Sequence, residues 1–252
     1  MPGNIQSVER AAALLRLLAA GSRRLGIAEL AGALGLAKGT VHGILRTLHD
    51  VGFVEQDEET GKYQLGAALL HLGSSYLDVN ELRTRALNWS DALAARSHEA
   101  VYIGTVHDGS VLVVHHVFRP DDSMQALEVG ALLPVHATAL GKVLMAFDPV
   151  MAGELDAPHE RFTEHTLTDP EALSAELEEV RGRGWAADVE EHGKGLVSVG
   201  APIYGRQEVV VGAISISGAV ERLCSEGEVR MDLVSYVRDA ARSITRDLGG
   251  HR

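Results

Sequence analysis

Six polar or small residues cluster between positions 38 and 46 of the chain. They are Lys38, Gly39, Thr40, His42, Gly43 and Arg46. The polar side chains among them can hydrogen-bond to phosphate oxygens or to the edges of base pairs. Each glycine weakens a helix by about 1 kcal/mol relative to alanine, and a helix face without bulk can approach DNA closely. We therefore predict that these six residues contact double-stranded DNA.

A second group lies inside an apolar run near the end of the chain. Ser215 and Ser217 interrupt the stretch 209–217, whose composition indicates a β-strand. Residues two apart on a strand point to the same face, and a polar side chain that faces a core needs a hydrogen-bonding partner. A bound small molecule would supply that partner, and neighbouring backbone groups could also do so. We predict that both serines bind a small-molecule effector.

Three side chains could support catalysis, but no catalytic motif surrounds them. Asp188, His136 and Lys142 are the groups that a hydrolase or a decarboxylase would use for acid–base chemistry. The sequence contains no nucleophile motif, no glycine-rich phosphate loop and no metal-ligand spacing. We predict no catalytic residue, no bound metal and no cofactor, and we expect His136 to be a hydrogen-bonded structural residue.

Two adjacent pairs of titratable residues are expected to have structural roles. His115 and His116 are neighbours on a predicted strand, so their rings point to opposite faces and cannot chelate a metal from one side. A zinc site that combines one of them with a more distant histidine stays open. Glu190 and Glu191 are predicted to be surface or helix-capping acids.

Three short helices and a hairpin would position the first group of residues. Ser7 is predicted to cap the first helix, and a second helix covers about 27–34. Gly35 follows, where a tight turn needs a residue that tolerates positive φ. A third helix over about 37–50 and a hairpin over 53–65 complete a winged helix-turn-helix. The inward stripe of the third helix consists of Val41, Leu45 and Leu48.

The charge of the chain is unevenly distributed. Its 252 residues include 23 basic and 35 acidic side chains, a net charge of −12 at pH 7. Residues 1–49 hold six basic and two acidic side chains, a balance of +4, so the remainder holds 17 and 33, a balance of −16. A basic segment on an acidic body is expected when one end of a protein contacts phosphate. The turn of the hairpin carries Asp57, Glu58 and Glu59, so we do not expect it to grip phosphate.

Composition also limits the cellular compartment. Cys224 is the single cysteine, which rules out an intramolecular disulfide. No apolar run approaches the roughly 20 residues that a membrane helix needs. The opening residues lack the basic and apolar regions of a signal peptide. We expect a cytoplasmic protein with no membrane partner.

The rest of the chain combines helices with β-hairpins. Helices are predicted at about 66–77, 82–93, 138–147, 170–183 and 226–248, and hairpins at 101–117 and 196–217. This mixture indicates an α+β fold with an antiparallel sheet flanked by helices. We predict a DNA-binding domain over residues 1–66, a linker helix over 67–80 and an effector-binding domain over 81–252.

Four stretches resemble the IclR family of transcriptional regulators. They read Ser-Val-Glu-Arg-Ala from Ser7, Leu-Gly-Leu-Ala-Lys-Gly-Thr-Val-His from Leu34, His-Ala-Thr-Ala-Leu-Gly-Lys from His136, and Asp-Val-Glu-Glu from Asp188 with Gly-Ala-Ile-Ser-Ile-Ser-Gly from Gly212. The resemblance implies a GAF-like effector-binding domain and a homodimer that can pair into a homotetramer. Within the family, residues 1–7 and 115–123 are similar to regulators of actinobacterial glycerol operons, which implies a repressor of glycerol utilisation.

The resemblance also implies an effector site. Family members that bind small oxo acids hold them with two backbone amides and several polar side chains, and the matching positions are Ala139, Leu140, Asp188, Ser198, Ser215 and Ser217. The first two would offer amides at a helix N-terminus, which suits an anion. Glycerol 3-phosphate, glycerol and a small oxo acid are the candidate effectors. We hypothesise glycerol 3-phosphate, with its phosphate on the two amides and its hydroxyls on Asp188.

Two other functional classes are weighed against a ligand-responsive regulator. A small-molecule-binding domain with hydrolase- or decarboxylase-type activity would not need residues 1–66. A scaffold that binds a ligand without DNA does not account for the basic start of the chain or for the two glycines of the third helix. Nor does a three-helix bundle used only for protein contacts. A DNA-binding regulator accounts for both features.

Overall fold

The computed structural model of the protein describes residues 5–20, 24–79, 81–121 and 123–250. Contacts divide the chain into two compact units, Met1–Val79 and Asn80–Arg252. Each unit has its own core of buried apolar side chains. Within the described ranges, no helix is long and apolar enough to cross a membrane.

The described part of the first unit contains four helices and one hairpin. These are α1 (Gln6–Ala19), α2 (Ile27–Leu34), α3 (Lys38–Asp50), β1 (Val54–Gln56), β2 (Tyr63–Leu65) and α4 (Ala67–Val79). The two strands are antiparallel, with Val54 opposite Leu65. Leu14, Leu30 and Leu45 are fully buried where the first three helices meet. The predicted winged helix-turn-helix is confirmed, including the burial of Val41, Leu45 and Leu48 on one side of α3.

Local chemistry sets the helix boundaries of this unit. Gly35 ends α2 with φ of 63°, so the predicted need for positive φ is confirmed. At the other end of α2, the N–H of Gly26 donates to Glu29 Oε2 at 2.7 Å. The predicted cap at Ser7 is wrong, because α1 begins at Gln6 after Ile5 and has no side-chain cap.

The second unit is a six-stranded antiparallel sheet with helices. Its helices are α5 (Glu81–Ser97), α6 (Ala139–Phe147), α7 (Pro170–Arg183), α8 (Val220–Leu223) and α9 (Met231–Asp247). Its strands are β3 (Ala100–His107), β4 (Ser110–Val117), β5 (Leu132–Leu133), β6 (Ala186–Val189), β7 (Leu196–Tyr204), β8 (Val210–Ala219), β9 (Cys224–Ser225) and β10 (Glu228–Val229). The sheet order is β5-β4-β3-β8-β7-β6, and β9 pairs only with β10. The predicted α+β class is confirmed.

The last helix is shorter than predicted. The sequence suggested a helix from residue 226, but α9 begins at Met231. Residues 224–229 instead form the small hairpin of β9 and β10. Glu226 and Gly227 form the turn of this hairpin, with φ of 55° and 83°. Residues of a right-handed α-helix have negative φ, so the helix cannot include this turn.

Helices cover both faces of the sheet. A Cβ placed on Gly200 of β7 would lie 3.2 Å from the backbone of Ala139, so α6 approaches the sheet closely there. A Cβ placed on Gly212 of β8 would lie 2.4 Å from Leu82 of α5. Since side chains alternate along a strand, each central strand sends every second residue toward α6 and the others toward α5 and α9.

Candidate functional site

The predicted DNA-contacting residues share the accessible side of α3. Lys38, Gly39, His42 and Arg46 are exposed, and Thr40 and Gly43 are half-buried. The opposite side of the helix is buried against the core of the first unit. Added Cβ atoms at both glycines would meet nothing within 4 Å. The structure of this unit therefore does not explain why α3 lacks side chains at these two positions.

Replacing Gly43 with alanine is expected to separate stability from DNA binding. Gly43→Ala should stabilise α3 by about 1 kcal/mol, because alanine is the better helix former and the site is open. Amide hydrogen exchange of α3 in the full chain should then slow about fivefold. If DNA approaches this face closely, the added methyl group should weaken operator binding in a gel-shift titration.

Gly32→Ala in α2 is the matched control for this prediction. Gly32 also has nothing within 4 Å of an added Cβ, so its replacement should slow exchange in α2 and leave DNA binding unchanged. Equal DNA affinities for the Gly43→Ala variant and the unmodified chain would place Gly43 away from the DNA.

The cations beside the wing are paired with acids of the same unit. Arg24 forms an ion pair with Asp57 in the turn between β1 and β2, and Lys62 Nζ lies 3.7 Å from Glu29 Oε2. Hydrogen bonds from the side chain and backbone of Thr60 lower the pKa of Asp57. These pairings support the expectation that the hairpin turn does not grip phosphate.

Strand register gathers polar side chains on the α6 side of the sheet. Asp188 of β6 lies opposite Ser198 of β7, and Ser198 lies opposite Ser217 of β8. Two residues along β8, Ser215 lies opposite Tyr102 of β3. Residues directly opposite one another on antiparallel strands share a face. The sheet therefore carries a band of hydroxyl groups that ends at a carboxylate.

This band borders a cavity of about 150 Å³, here called the effector cavity. Its lining residues are Tyr102, Glu128, Leu133, Thr138, Leu140, Asp188, His192, Leu196, Ser198, Ser215 and Ser217. Five of the six predicted effector-site residues are among them, and Ala139 is the exception. Sequence reasoning missed the polar residues Tyr102, Glu128, Thr138 and His192. The volume is below the roughly 300 to 1,000 Å³ of pockets for drug-sized ligands, so the cavity suits a small metabolite.

The start of α6 offers one amide to the cavity rather than two. The N–H of Ala139 donates to Ser198 Oγ at 3.3 Å. It is therefore not free to bind a ligand, in contrast to the prediction of two free amides. Thr138 caps the helix by accepting the N–H of Gly141 at 3.1 Å. The N–H of Leu140 has no hydrogen-bond partner within the described part of the chain.

Asp188 is buried and is held by the protein itself. Its Oδ1 accepts the N–H groups of Glu191 at 2.7 Å and of His192 at 3.3 Å. Its Oδ2 accepts the hydroxyl of Ser198 at 3.2 Å. Burial raises the pKa of Asp188, and these hydrogen bonds act in the opposite direction. Asp188 therefore shapes the loop after β6 as well as lining the effector cavity.

Tyr102 and Glu128 form a second polar group on the cavity wall. Burial, with the nearby Glu128 carboxylate, raises the pKa of Tyr102 to about 12, so its hydroxyl stays protonated at neutral pH and donates to Glu128. The Tyr102 ring stacks on His116 at a centroid distance of 4.4 Å. The N–H of Glu128 donates to His116 Nδ1 at 3.3 Å. His116 thus holds the Tyr102–Glu128 pair in place.

Because His116 is buried, it should make the second unit less stable in mild acid. Burial lowers the pKa of His116, while Glu128 opposes this shift. The unfolded chain then takes up a proton near pH 6.5, where the folded chain does not. The contribution of neutral His116 to the free energy of unfolding is therefore fully present above that pH. It is lost as pH falls through the pKa of His116 in the folded chain. Urea unfolding followed by tryptophan fluorescence measures this effect. Below about pH 6.5, the free energy of unfolding should fall less in His116→Phe than in the unmodified chain.

The exposed His107 supplies the control for this pH dependence. His107→Gln should keep the pH dependence of the unmodified chain, because the His107 side chain is 54% exposed and folding removes little of it from water. If the free energy of unfolding changes with pH equally in His116→Phe and in the unmodified chain, other groups cause the loss of stability in acid.

Lys142 lies in a buried ion pair outside the lining of the effector cavity. The side chain of Lys142 is 2% exposed, and its Nζ lies 2.6 Å from Glu191 Oε1 and 3.3 Å from Glu176 Oε1. The prediction that Glu191 is a surface or capping acid is therefore wrong. Glu190 is half-buried, and its Oε1 accepts the N–H of Gly195 at 2.7 Å. Both acids follow β6, and they hold the loop that comes directly after this strand and Asp188.

The three candidate catalytic groups are not assembled at the effector cavity. Asp188 lines it, but His136 and Lys142 do not. His136 Nε2 lies 2.8 Å from the carbonyl oxygen of Glu160, as expected for a structural histidine. Among the described residues, no group of three His, Cys, Asp or Glu side chains is arranged to hold a metal.

Comparison with known proteins matches both units. The IclR helix-turn-helix domain matches residues 7–58, and the C-terminal region described as "Bacterial transcriptional regulator IclR C-terminal" matches residues 74–246. A "Glycerol operon regulatory protein" of Streptomyces coelicolor is 59% identical over 253 residues, covering all of both chains.

Solved structures show the same architecture. An IclR regulator from Alicyclobacillus acidocaldarius is 27% identical, with a TM-score of 0.83 over 97% of this chain and 99% of that one. An IclR homologue from Microbacterium hydrocarbonoxydans, complexed with 4-hydroxybenzoate, is 25% identical, with a TM-score of 0.81 over 96% and 99%. Because both the helix-turn-helix region and the C-terminal region are matched, in the same order along the chain, the chain belongs to the IclR family of DNA-binding bacterial transcriptional regulators.

Proposed function

We propose that the protein represses a glycerol-utilisation operon and that a small neutral polyol, glycerol, binds in the effector cavity to change its affinity for the operator. Residues 1–66 bind DNA as part of a homodimer or homotetramer, residues 67–80 form a linker helix, and residues 81–252 bind the effector. The full-length similarity to a protein named for a glycerol operon supports the choice of operon. The charge of the cavity wall supports the choice of ligand.

The described lining of the effector cavity carries acidic groups and no lysine or arginine to balance an anion. It includes Glu128 and Asp188, with His192 as its one histidine. Two like charges about 4 Å apart cost roughly 4 kcal/mol at an effective dielectric of 20. A phosphate or an oxo acid would meet this repulsion. Of the two amides predicted for the site, the N–H of Leu140 alone would be free to stabilise its negative charge. These observations disfavour the glycerol 3-phosphate orientation that the sequence suggested.

A polyol matches the same wall well. Carboxylates accept hydrogen bonds from hydroxyl groups, and serine hydroxyls can either donate or accept. Glu128 and Asp188 approach the cavity from different segments, with Ser215 and Ser217 on the sheet between them. Titration of the operator complex with glycerol in a gel-shift assay should change the bound fraction. Glyoxylate, a small oxo acid, should not, and a response to glyoxylate alone would reject the polyol.

Arg46 is expected to read the operator. It is exposed on α3, on the same side as Gly39 and His42. If its guanidinium contacts a base edge, Arg46→Ala should weaken specific binding about tenfold and relax selectivity at one base pair. If it contacts only phosphate, the loss of affinity should be equal on all DNA sequences. The slope of log affinity against log salt concentration should then become less steep by about one.

The gel-shift titration of Arg46→Ala needs a control for charge. Arg85→Ala removes the same charge from an exposed position in the second unit, where Arg85 pairs with Glu81 at 4.0 Å, and should not change the affinity for the operator. Full operator affinity in Arg46→Ala would reject the proposed placement of α3.

A further inference from the structure

A second cavity in the effector-binding unit is lined by four arginines. It has a volume of about 270 Å³ and lies among the end of α7, strand β7 and helix α9. Arg181 and Arg183 come from α7, and Arg238 and Arg242 come from α9. We call it the arginine cavity. Among the described residues that line it there is no aspartate and no glutamate, in contrast to the effector cavity.

Two of these arginines have no compensating carboxylate. Arg183 pairs with Glu176 at 2.9 Å, and Arg242 pairs with Asp239 at 3.3 Å. Neither Arg181 nor Arg238 forms an ion pair with an acid of the described residues, in a chain with a net charge of −12. Grouping like charges without a counterion is unfavourable. The cavity therefore has a local positive charge that a bound anion would neutralise.

The arginines of α7 are held in place by the backbone. Arg181 Nε donates to the carbonyl oxygen of Ala146 at 2.8 Å, and Arg183 Nε donates to that of Trp185 at 2.8 Å. The guanidinium of Arg183 also lies over the Trp185 ring, 4.3 Å from its centroid. Guanidinium groups that are oriented before binding lose less entropy when they bind an anion.

A purely structural role explains only half of the group. Cationic side chains stabilise the C-terminal end of a helix, which accounts for Arg181 and Arg183 in the last turn of α7. Arg238 lies in the middle of α9, so this effect does not apply to it. The apolar part of the cavity wall, which includes Phe147 and Pro202, could pack against the carbon atoms of a ligand.

We propose that the arginine cavity is a second ligand site and that it binds a small phosphate monoester. A phosphate monoester carries nearly two negative charges at neutral pH, which matches the two uncompensated guanidinium groups. Its oxygens also accept the paired hydrogen bonds that arginine donates. The proposal does not depend on the polyol in the effector cavity, because the two sites have different lining residues.

Calorimetric titration of the full chain with glycerol 3-phosphate tests the proposal. Binding should be measurable, should weaken with added salt, and should be displaced by inorganic phosphate. Arg238→Gln should weaken it about tenfold or more, because it removes a charge-assisted hydrogen bond. Arg238→Gln should leave the far-UV circular dichroism of the chain, and any affinity for glycerol, unchanged, which shows that the variant folds. Arg85→Gln, an exposed arginine of α5, should bind like the unmodified chain.

The serine variant separates the two cavities in the same titration. Ser215→Ala with Ser217→Ala should keep the affinity for glycerol 3-phosphate, because neither serine lines the arginine cavity. If this variant loses the affinity, the ligand binds in the effector cavity and the proposal is overturned. Absence of glycerol 3-phosphate binding, or full affinity in Arg238→Gln, also overturns it. If Arg238→Gln instead changes the oligomeric state in sedimentation, a second copy of the chain occupies the cavity and the ligand assignment is rejected.

Discussion

Lys142→Ala should cost about 3–5 kcal/mol of unfolding free energy, the largest effect that we expect from a single substitution. Lys142 Nζ is the buried partner of Glu191 Oε1 at 2.6 Å. Without it, Glu191 keeps a buried carboxylate whose Oε2 already has no hydrogen-bond partner among the described residues. Trp89 and Trp185 are the two tryptophans and both lie in the second unit, so urea unfolding followed by their fluorescence reports on this unit.

An exposed ion pair provides the comparison for Lys142. Lys194 Nζ lies 3.8 Å from Glu164 Oε1, and the two side chains are 75% and 74% exposed. Lys194→Ala should therefore change stability by less than about 1 kcal/mol. The double change Lys142→Met with Glu191→Gln should recover most of the loss, because it leaves no unpaired charge at Glu191. A loss below about 1 kcal/mol in Lys142→Ala would show that water reaches the Glu191 carboxylate.

Ser215→Ala combined with Ser217→Ala should weaken glycerol binding about thirtyfold, since two hydrogen bonds of about 1 kcal/mol each would be lost. Both serines line the effector cavity, and neither hydroxyl forms a hydrogen bond with another group of the described chain. The band of hydroxyl groups that ends at Asp188 would lose two of its members, Ser215 and Ser217, and keep its shape. Calorimetry on the full chain measures the change, and operator binding without glycerol should not change.

Ser225→Ala is the control for the serine pair. Ser225 is exposed in β9, outside the effector cavity, so its removal should leave glycerol affinity unchanged. Equal glycerol affinity in the double variant and the unmodified chain would make Ser215 and Ser217 structural residues. If the unmodified chain does not bind glycerol, the polyol assignment is rejected and the two DNA-binding predictions still stand.

The helices and turns of the first unit could be predicted from the sequence because they depend on residues close together in the chain. Val41, Leu45 and Leu48 recur at helical spacing, and Gly35 supplies the left-handed residue that the turn needs. The cap at Ser7 was misassigned because several residues near a helix start can begin it, and α1 uses Ile5, which no capping rule favours. The length of α9 was overestimated for a related reason, since the Glu226–Gly227 turn breaks a pattern that otherwise fits a helix.

By itself, the sequence determined the fold class, the polar face of α3 and the pairing of Ser215 with Ser217 on one strand face, because these follow from short-range periodicity. Only the tertiary structure decided which further distant residues meet the positions that the family resemblance had already grouped. Strand register brought Tyr102 opposite Ser215, and the loop before β5 brought Glu128 to the same wall. It also gave the Ala139 amide a partner in Ser198. Contacts between segments far apart in sequence carry no periodic signal, so the acidic character of the effector cavity emerges only when the sheet is assembled.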